Sequence, residues 1–117
     1  MAAGKLNLVI EQGADFEQIL TFQDASEVAI DITAWTFAGQ IRKTWNNGTV
    51  LVSFTFTILN QTTNRGQVKV SLTNSQTSAL ALTKNPESYV YDIETTVGSI
   101  KARAVEGTVT VSAEVTR

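Results

Sequence analysis

Carboxylates are the reactive side chains that this sequence brings together in any grouping. Asp24, Glu27 and Asp31 fall in one short stretch, with Asp15 and Glu17 just upstream. Calcium takes several such oxygens around one tight loop. The spacing here does not match an EF-hand, and Asp24 followed by Ser26 is ordinary turn chemistry. Glu94 and Glu106 would be the pair for glycosidase-like acid–base work if their strands are neighbours and a cleft drives their pKa values apart. Almost any β protein offers such a pair, so the fold alone lends the idea little weight. The chain has no histidine and no cysteine, which removes the Ser-His-Asp triad, thiolate nucleophiles, tetrahedral zinc, haem ligation and disulfides. Neither phosphate-cradling glycine motif occurs. These side chains identify no catalytic, metal or cofactor-binding site, and an enzyme acting through Glu94 and Glu106 stays open as the weaker reading.

Composition agrees with a single soluble domain. The 117 residues are 43% hydrophobic and 17% charged, with 9 basic and 11 acidic residues giving a net charge of -2. Nucleic acid is an unsuitable partner, because phosphate neutralisation needs clustered Lys and Arg and these are scattered. The longest apolar runs, such as Val50-Leu51-Val52, fall far short of the roughly 20 residues that cross a bilayer, so membrane insertion is not expected. Met1-Ala2-Ala3-Gly4 lacks the basic and apolar regions of a secretory signal, which points to synthesis in the cytoplasm. Residues 1–5 read as a flexible N-terminal arm and residues 6–117 as one domain.

Apolar residues recur at every second position along most of the chain, the period of a strand buried on one face. Strands are expected around Leu6, Leu8 and Ile10; Phe16 to Phe22; Val28 to Ile32; Trp35 to Ile41; Val50 to Ile58; Val68 to Leu72; Tyr89 to Ile93; Ile100 to Ala104; and Val109 to Val115. Gly13 is expected to take a positive φ in the first turn. Asn46-Asn47-Gly48 predicts a tight hairpin tip. Thr73-Asn74-Ser75-Gln76 matches a capping box and predicts one short helix near residues 74–83, stopped by Asn85-Pro86. About eight or nine short strands with one helix predict an all-β, antiparallel, immunoglobulin-like sandwich.

The residues singled out for interaction follow from that frame. Trp45 sits beside the expected hairpin tip, where a large ring has less core to reach, and with Asn46 and Asn47 it forms the best cluster for a partner or a glycan. Trp35, Phe37, Phe54 and Phe56 are instead in phase with the core, and Tyr89 and Tyr91 are expected to bury their rings. Thr108 to Val115 carries a single charge and no proline. If that run is an edge strand, Val109, Val111 and Val115 suit strand addition with another subunit; central pairing inside the domain is the competing reading. Lys69, Lys101 and Arg103 are the charges available to blunt an edge. Lys5 belongs to the arm and completes the candidate interface.

Several segments together resemble small β-sandwich structural proteins of tailed bacteriophages, in particular the immunoglobulin-like N-terminal domain of upper-baseplate and receptor-binding-protein adapters. These are the opening Ile10-Glu11-Gln12-Gly13-Ala14-Asp15-Phe16, then Ile30-Asp31-Ile32-Thr33 leading to Phe37-Ala38-Gly39-Gln40-Ile41-Arg42. Leu72-Thr73-Asn74-Ser75-Gln76-Thr77, Tyr89-Val90-Tyr91-Asp92-Ile93-Glu94 and Glu106-Gly107-Thr108-Val109-Thr110-Val111 complete the set. The resemblance implies a non-enzymatic virion component assembled in the host cytoplasm, without cofactors. It would act as a tail, baseplate or fibre-attachment adapter through contacts with other virion subunits and with further copies of itself. It brings no catalytic residues. The chain stops directly after its last strand, where adapters of this kind continue into a fibre or host-binding region. Capsid decoration, a head–tail junction role and a carbohydrate-binding module for host-surface recognition therefore stand as alternatives.

Overall fold

Alternation in sequence becomes alternation of burial. In the strand Gln67–Leu72, Val68, Val70 and Leu72 are buried while Gln67, Lys69 and Ser71 face outward. In Glu87–Val97, Tyr89, Tyr91, Ile93 and Thr95 face inward, and Val90, Asp92, Glu94 and Thr96 face out. The computed structural model describes residues 4–46, 48–80 and 82–113. Among them are nine strands and one helix: β1 (Gly4–Lys5), β2 (Leu8–Glu11), β3 (Phe16–Thr21), β4 (Thr36–Arg42), β5 (Val52–Ser53), β6 (Thr55–Ile58), β7 (Gln67–Leu72), α1 (Asn74–Ser78), β8 (Glu87–Val97) and β9 (Ile100–Ser112). The architecture is an all-β sandwich of two sheets.

One sheet runs β1-β9-β8-β4-β5 with β2 also on β9, and the other runs β3-β7-β6. The run from Val50 to Ile58 is not one strand. β5 pairs with β4 in the first sheet and β6 with β7 in the second, and the chain changes sheets at buried Phe54, whose N–H donates to Gly39 O at 3.0 Å. Most pairing is antiparallel, but β1 and β2 both lie parallel to β9. Residues 4–5, expected in a flexible arm, are thus a strand: Gly4 pairs with Val105 and Lys5 with Glu106. Residues 1–3 of that arm lie outside the described residues. Gly107 sits inside β9, which joins the two runs expected as separate strands at Ile100 to Ala104 and Val109 to Val115, and it makes a close approach, since a Cβ there would lie 2.2 Å from Leu6 O.

Other expectations also shift in detail. Val28 to Ile32 forms no strand beyond one bridge between Gln23 and Ala29, because the Asp24 turn occupies its backbone: Asp24 Oδ1 accepts from Ser26 N–H at 2.8 Å and Val28 N–H at 3.0 Å. The helix begins where the capping box places it, with Thr73 Oγ1 accepting from Gln76 N–H and the Gln76 side chain returning to Thr73 N–H. It ends at Ser78 rather than near residue 83. Leu80 turns into the core at 1% exposure, and its carbonyl is taken by the Gln12 side-chain amide at 3.1 Å. Gly13 has φ 86°, as expected.

The core lies between the sheets. Ile10, Ile32, Ile41, Val68, Val109 and Val111 are fully enclosed, and each such side chain contributes roughly 1.5–3 kcal/mol by leaving water. A row of rings crosses the interior: Trp35 and Phe22 at 5.3 Å, Phe37 and Phe56 at 5.6 Å, Phe54 and Tyr91 at 5.9 Å. Trp35, Phe37 and Phe56 are half-buried and packed on the core, and Phe54 is buried.

Candidate functional site

The terminal run, for which edge and central placements both stood open, is central. β9 is flanked by β8 on one side and by β2 on the other, with Leu8 opposite Val109 and Ile10 opposite Val111. Val109 and Val111 are fully buried, so neither presents a strand edge or a side chain to another subunit. The parallel N-terminal strand, which sequence periodicity cannot distinguish from an antiparallel one, is what covers them. Val115 and Asn47 lie outside the described residues. Lys69 blunts no edge, because it sits on the central strand of its sheet with Nζ 3.4 Å from Glu17 Oε2. The strands of that sheet that pair on one side among the described residues are β3 and β6.

Lys5 is exposed and anchored: its Nζ donates to Glu106 Oε1 at 2.8 Å. That contact holds the Glu106 carboxyl below its ordinary pKa. Arg103 extends the chain of charges, with Nη1 3.6 Å from Glu106 Oε2 and Nε 3.3 Å from Asp92 Oδ2. Asp92 goes the other way, because burial raises its pKa against the pull of Arg103. Glu94 and Glu106 are on neighbouring strands, yet they are not directly opposed. Glu94 faces Arg103 in the register and Glu106 faces Asp92, and each of the two glutamates is within reach of a cation.

Trp45 is 53% exposed, with Asn46 exposed beside it. The connection between β4 and β5 is not a two-residue hairpin; it spans residues 43–51, because Val52 pairs back on Ile41. Lys43 starts the departure by reaching to β8. Its Nζ lies 3.1 Å from Glu87 Oε2, 3.2 Å from Ser88 O and 4.8 Å from the Tyr89 ring centroid. Trp45 lines a groove of about 280 Å³ on the outer face of the larger sheet together with Gln40, Arg42, Asp92, Glu94 and Arg103. Sequence reasoning had Trp45 but not its partners. The outward phase of β4 and β8 could have supplied Gln40, Arg42, Asp92 and Glu94 once those strands were known to be adjacent.

A second surface escaped sequence reading altogether. At the tip of the β8–β9 hairpin Val97 pairs with Ile100, and they are 41% and 72% exposed. All of Ile100 to Arg103 is exposed, so both faces of this stretch of β9 meet solvent. The hairpin tip therefore leaves two apolar side chains in solvent.

Elsewhere polar groups serve the fold. Tyr91 Oη donates to Leu6 O, tying the N-terminal segment to β8, and burial pushes its pKa up to about 12. Buried Thr77 accepts from Gly13 N–H at 3.0 Å and donates to Ala14 O at 2.9 Å, fixing α1 to the β2–β3 turn. Asp31 accepts from the Thr33 hydroxyl and N–H, which lowers its pKa. Asp24 and Asp31 thus act as turn acceptors in the stretch first weighed for calcium.

No protein-family model and no curated protein matches the sequence. Among solved structures, a sialyltransferase from Photobacterium damsela aligns over 95% of this chain with 14% identity and a TM-score of 0.41. The chain spans 18% of the length of that protein, and a likeness of this size bears on neither family nor activity.

Proposed function

We propose that this chain is a non-enzymatic bacteriophage virion protein, a tail, baseplate or fibre-attachment adapter that works through contacts with neighbouring subunits. The observation that carries the reading is the β8–β9 hairpin, whose Val97 and Ile100 leave apolar surface in water at a tip. An isolated exposed apolar side chain needs no explanation, but a cross-strand pair at a hairpin tip is suited to contact with a neighbour. The sequence segments that resemble adapter domains support the same reading. Lys5 and Trp45 remain candidate contact residues, and Val109 and Val111 act from inside by keeping the scaffold rigid. Many symmetric copies turn modest contacts into firm attachment through effective concentration.

The test is particle composition. Gradient-purified tailed particles from the host that encodes the chain should contain it at a fixed ratio to the other tail proteins by quantitative mass spectrometry. The V97D/I100D variant should fold, with an unchanged circular-dichroism spectrum, and be depleted from particles. Absence of the wild-type chain from particles, or undiminished incorporation of the variant, would overturn the proposal.

A further inference from the structure

The groove on the outer face of the larger sheet has a chemistry of its own. Its walls are planar polar groups already held in place: Arg42 Nη2 donates to Gln40 Oε1 at 2.9 Å, and Arg103 Nε lies 3.3 Å from Asp92 Oδ2. Gln40 and Asp92 stand opposite each other in the β4–β8 register, and Glu94 stands opposite Arg103 in the β8–β9 register. Two arginines and two carboxylates among its lining residues cancel in formal charge, so the groove carries no net charge of its own to attract an ion of one sign. The half-exposed Trp45 ring lines it too.

We infer that this groove is a binding site for a neutral saccharide. A pyranose has an apolar C–H face and a rim of adjacent hydroxyls that both donate and accept. The indole supplies a platform for the face. Carboxylate, carboxamide and guanidinium supply acceptors and paired donors for the rim, since a carboxylate has about four acceptor sites and a guanidinium five N–H donors. Because neighbouring groups already hold these side chains, little rotamer freedom is lost on binding. A volume of about 280 Å³ falls just below the roughly 300–1,000 Å³ of drug-sized ligand pockets, which suits a ligand as small as one sugar ring. The inference stands on these residues alone and does not require the virion reading.

The full chain, labelled with ¹⁵N, would be titrated with the methyl glycosides of glucose, galactose, mannose, rhamnose and N-acetylglucosamine, with methyl glucuronide and sialic acid as anionic probes. At least one neutral glycoside is expected to shift the Trp45 indole and Gln40 carboxamide resonances, with a dissociation constant unchanged between low and high salt. Trp45→Ala, at an exposed position, should retain the fold and weaken binding about tenfold, a loss of aromatic contact of the usual size. Asp92→Asn, which keeps the shape, should weaken it as well. No shift with any neutral glycoside at millimolar concentration would overturn the inference. Retained affinity in Trp45→Ala, or binding confined to the anionic probes and lost in salt, would do the same.

Discussion

Replacing Gly107 by Ala sets two effects of opposite sign against each other. Alanine restricts the unfolded chain more than glycine does, and where the native backbone accepts it this stabilises by about 0.4–1 kcal/mol. At Gly107 the new Cβ would lie 2.2 Å from Leu6 O and 2.9 Å from Leu6 C, well inside any tolerable contact with backbone. The N-terminal segment must move away from β9. That breaks the Leu6 N–H to Glu106 O bond at 3.0 Å, the Thr108 N–H to Asn7 Oδ1 bond at 3.2 Å and the Tyr91 Oη to Leu6 O bond. Each lost bond costs about 0.5–1.5 kcal/mol, and leaving the buried Tyr91 hydroxyl without its partner costs about 1–3 kcal/mol. Steric loss therefore wins, with a net destabilisation of about 2–4 kcal/mol after the entropy gain. Urea denaturation followed by circular dichroism measures it, and native-state hydrogen exchange should show protection falling first along Leu8 to Glu11. A stability change under about 0.5 kcal/mol, or unaltered exchange in β2, would refute the claim that this close approach fastens the N-terminal strand.

Further outcomes follow from buried polar groups. Hydrogen bonds from Thr83 and the contact with Lys43 hold the Glu87 carboxyl down to about 2. Its folded value lies below its ordinary value of 4.5, so its contribution to stability is complete above about pH 5 and is lost as pH falls through about 2. Wild-type denaturation midpoints should drop across that window, and Glu87→Gln should be less stable at neutral pH with a flatter acid limb; equal slopes would contradict the assignment. Thr77→Val keeps the shape but strands the Gly13 N–H, and should cost about 1–3 kcal/mol by thermal or urea unfolding. Ile93→Ala removes a nearly enclosed side chain and should cost about 2–5 kcal/mol in the same assay.

Much of the sandwich was legible because one buried face imposes a period of two: β3, β4, β7 and β8 lie where alternation placed them. The Thr73 capping box marked the helix start because its reciprocal bonds are local. What alternation cannot carry is pairing partner and direction. Leu8 and Ile10 look the same whether β2 runs parallel or antiparallel to its neighbour, so central pairing of Val109 and Val111 could be weighed but not the strand that covers them or its direction. The change of sheet at Phe54 was hidden for a similar reason, since Val52, Phe54 and Phe56 stay in phase while the chain passes from one layer to the other. The groove depends on three strands being adjacent, and Gln40, Asp92 and Arg103 lie too far apart in sequence for periodicity to associate them. Ile100 was expected only as the start of a return strand, and alternation does not show which strand positions are left without a covering layer, so the exposure of Val97 and Ile100 was not legible.

In-particle photo-crosslinking at position 100 tests the contact role most directly. With a photoreactive residue replacing Ile100, illumination of assembled particles should join this chain to a neighbouring virion subunit in a single defined product. A chain that enters particles but crosslinks only to solvent quencher at that position, or one that never enters them, would contradict the account.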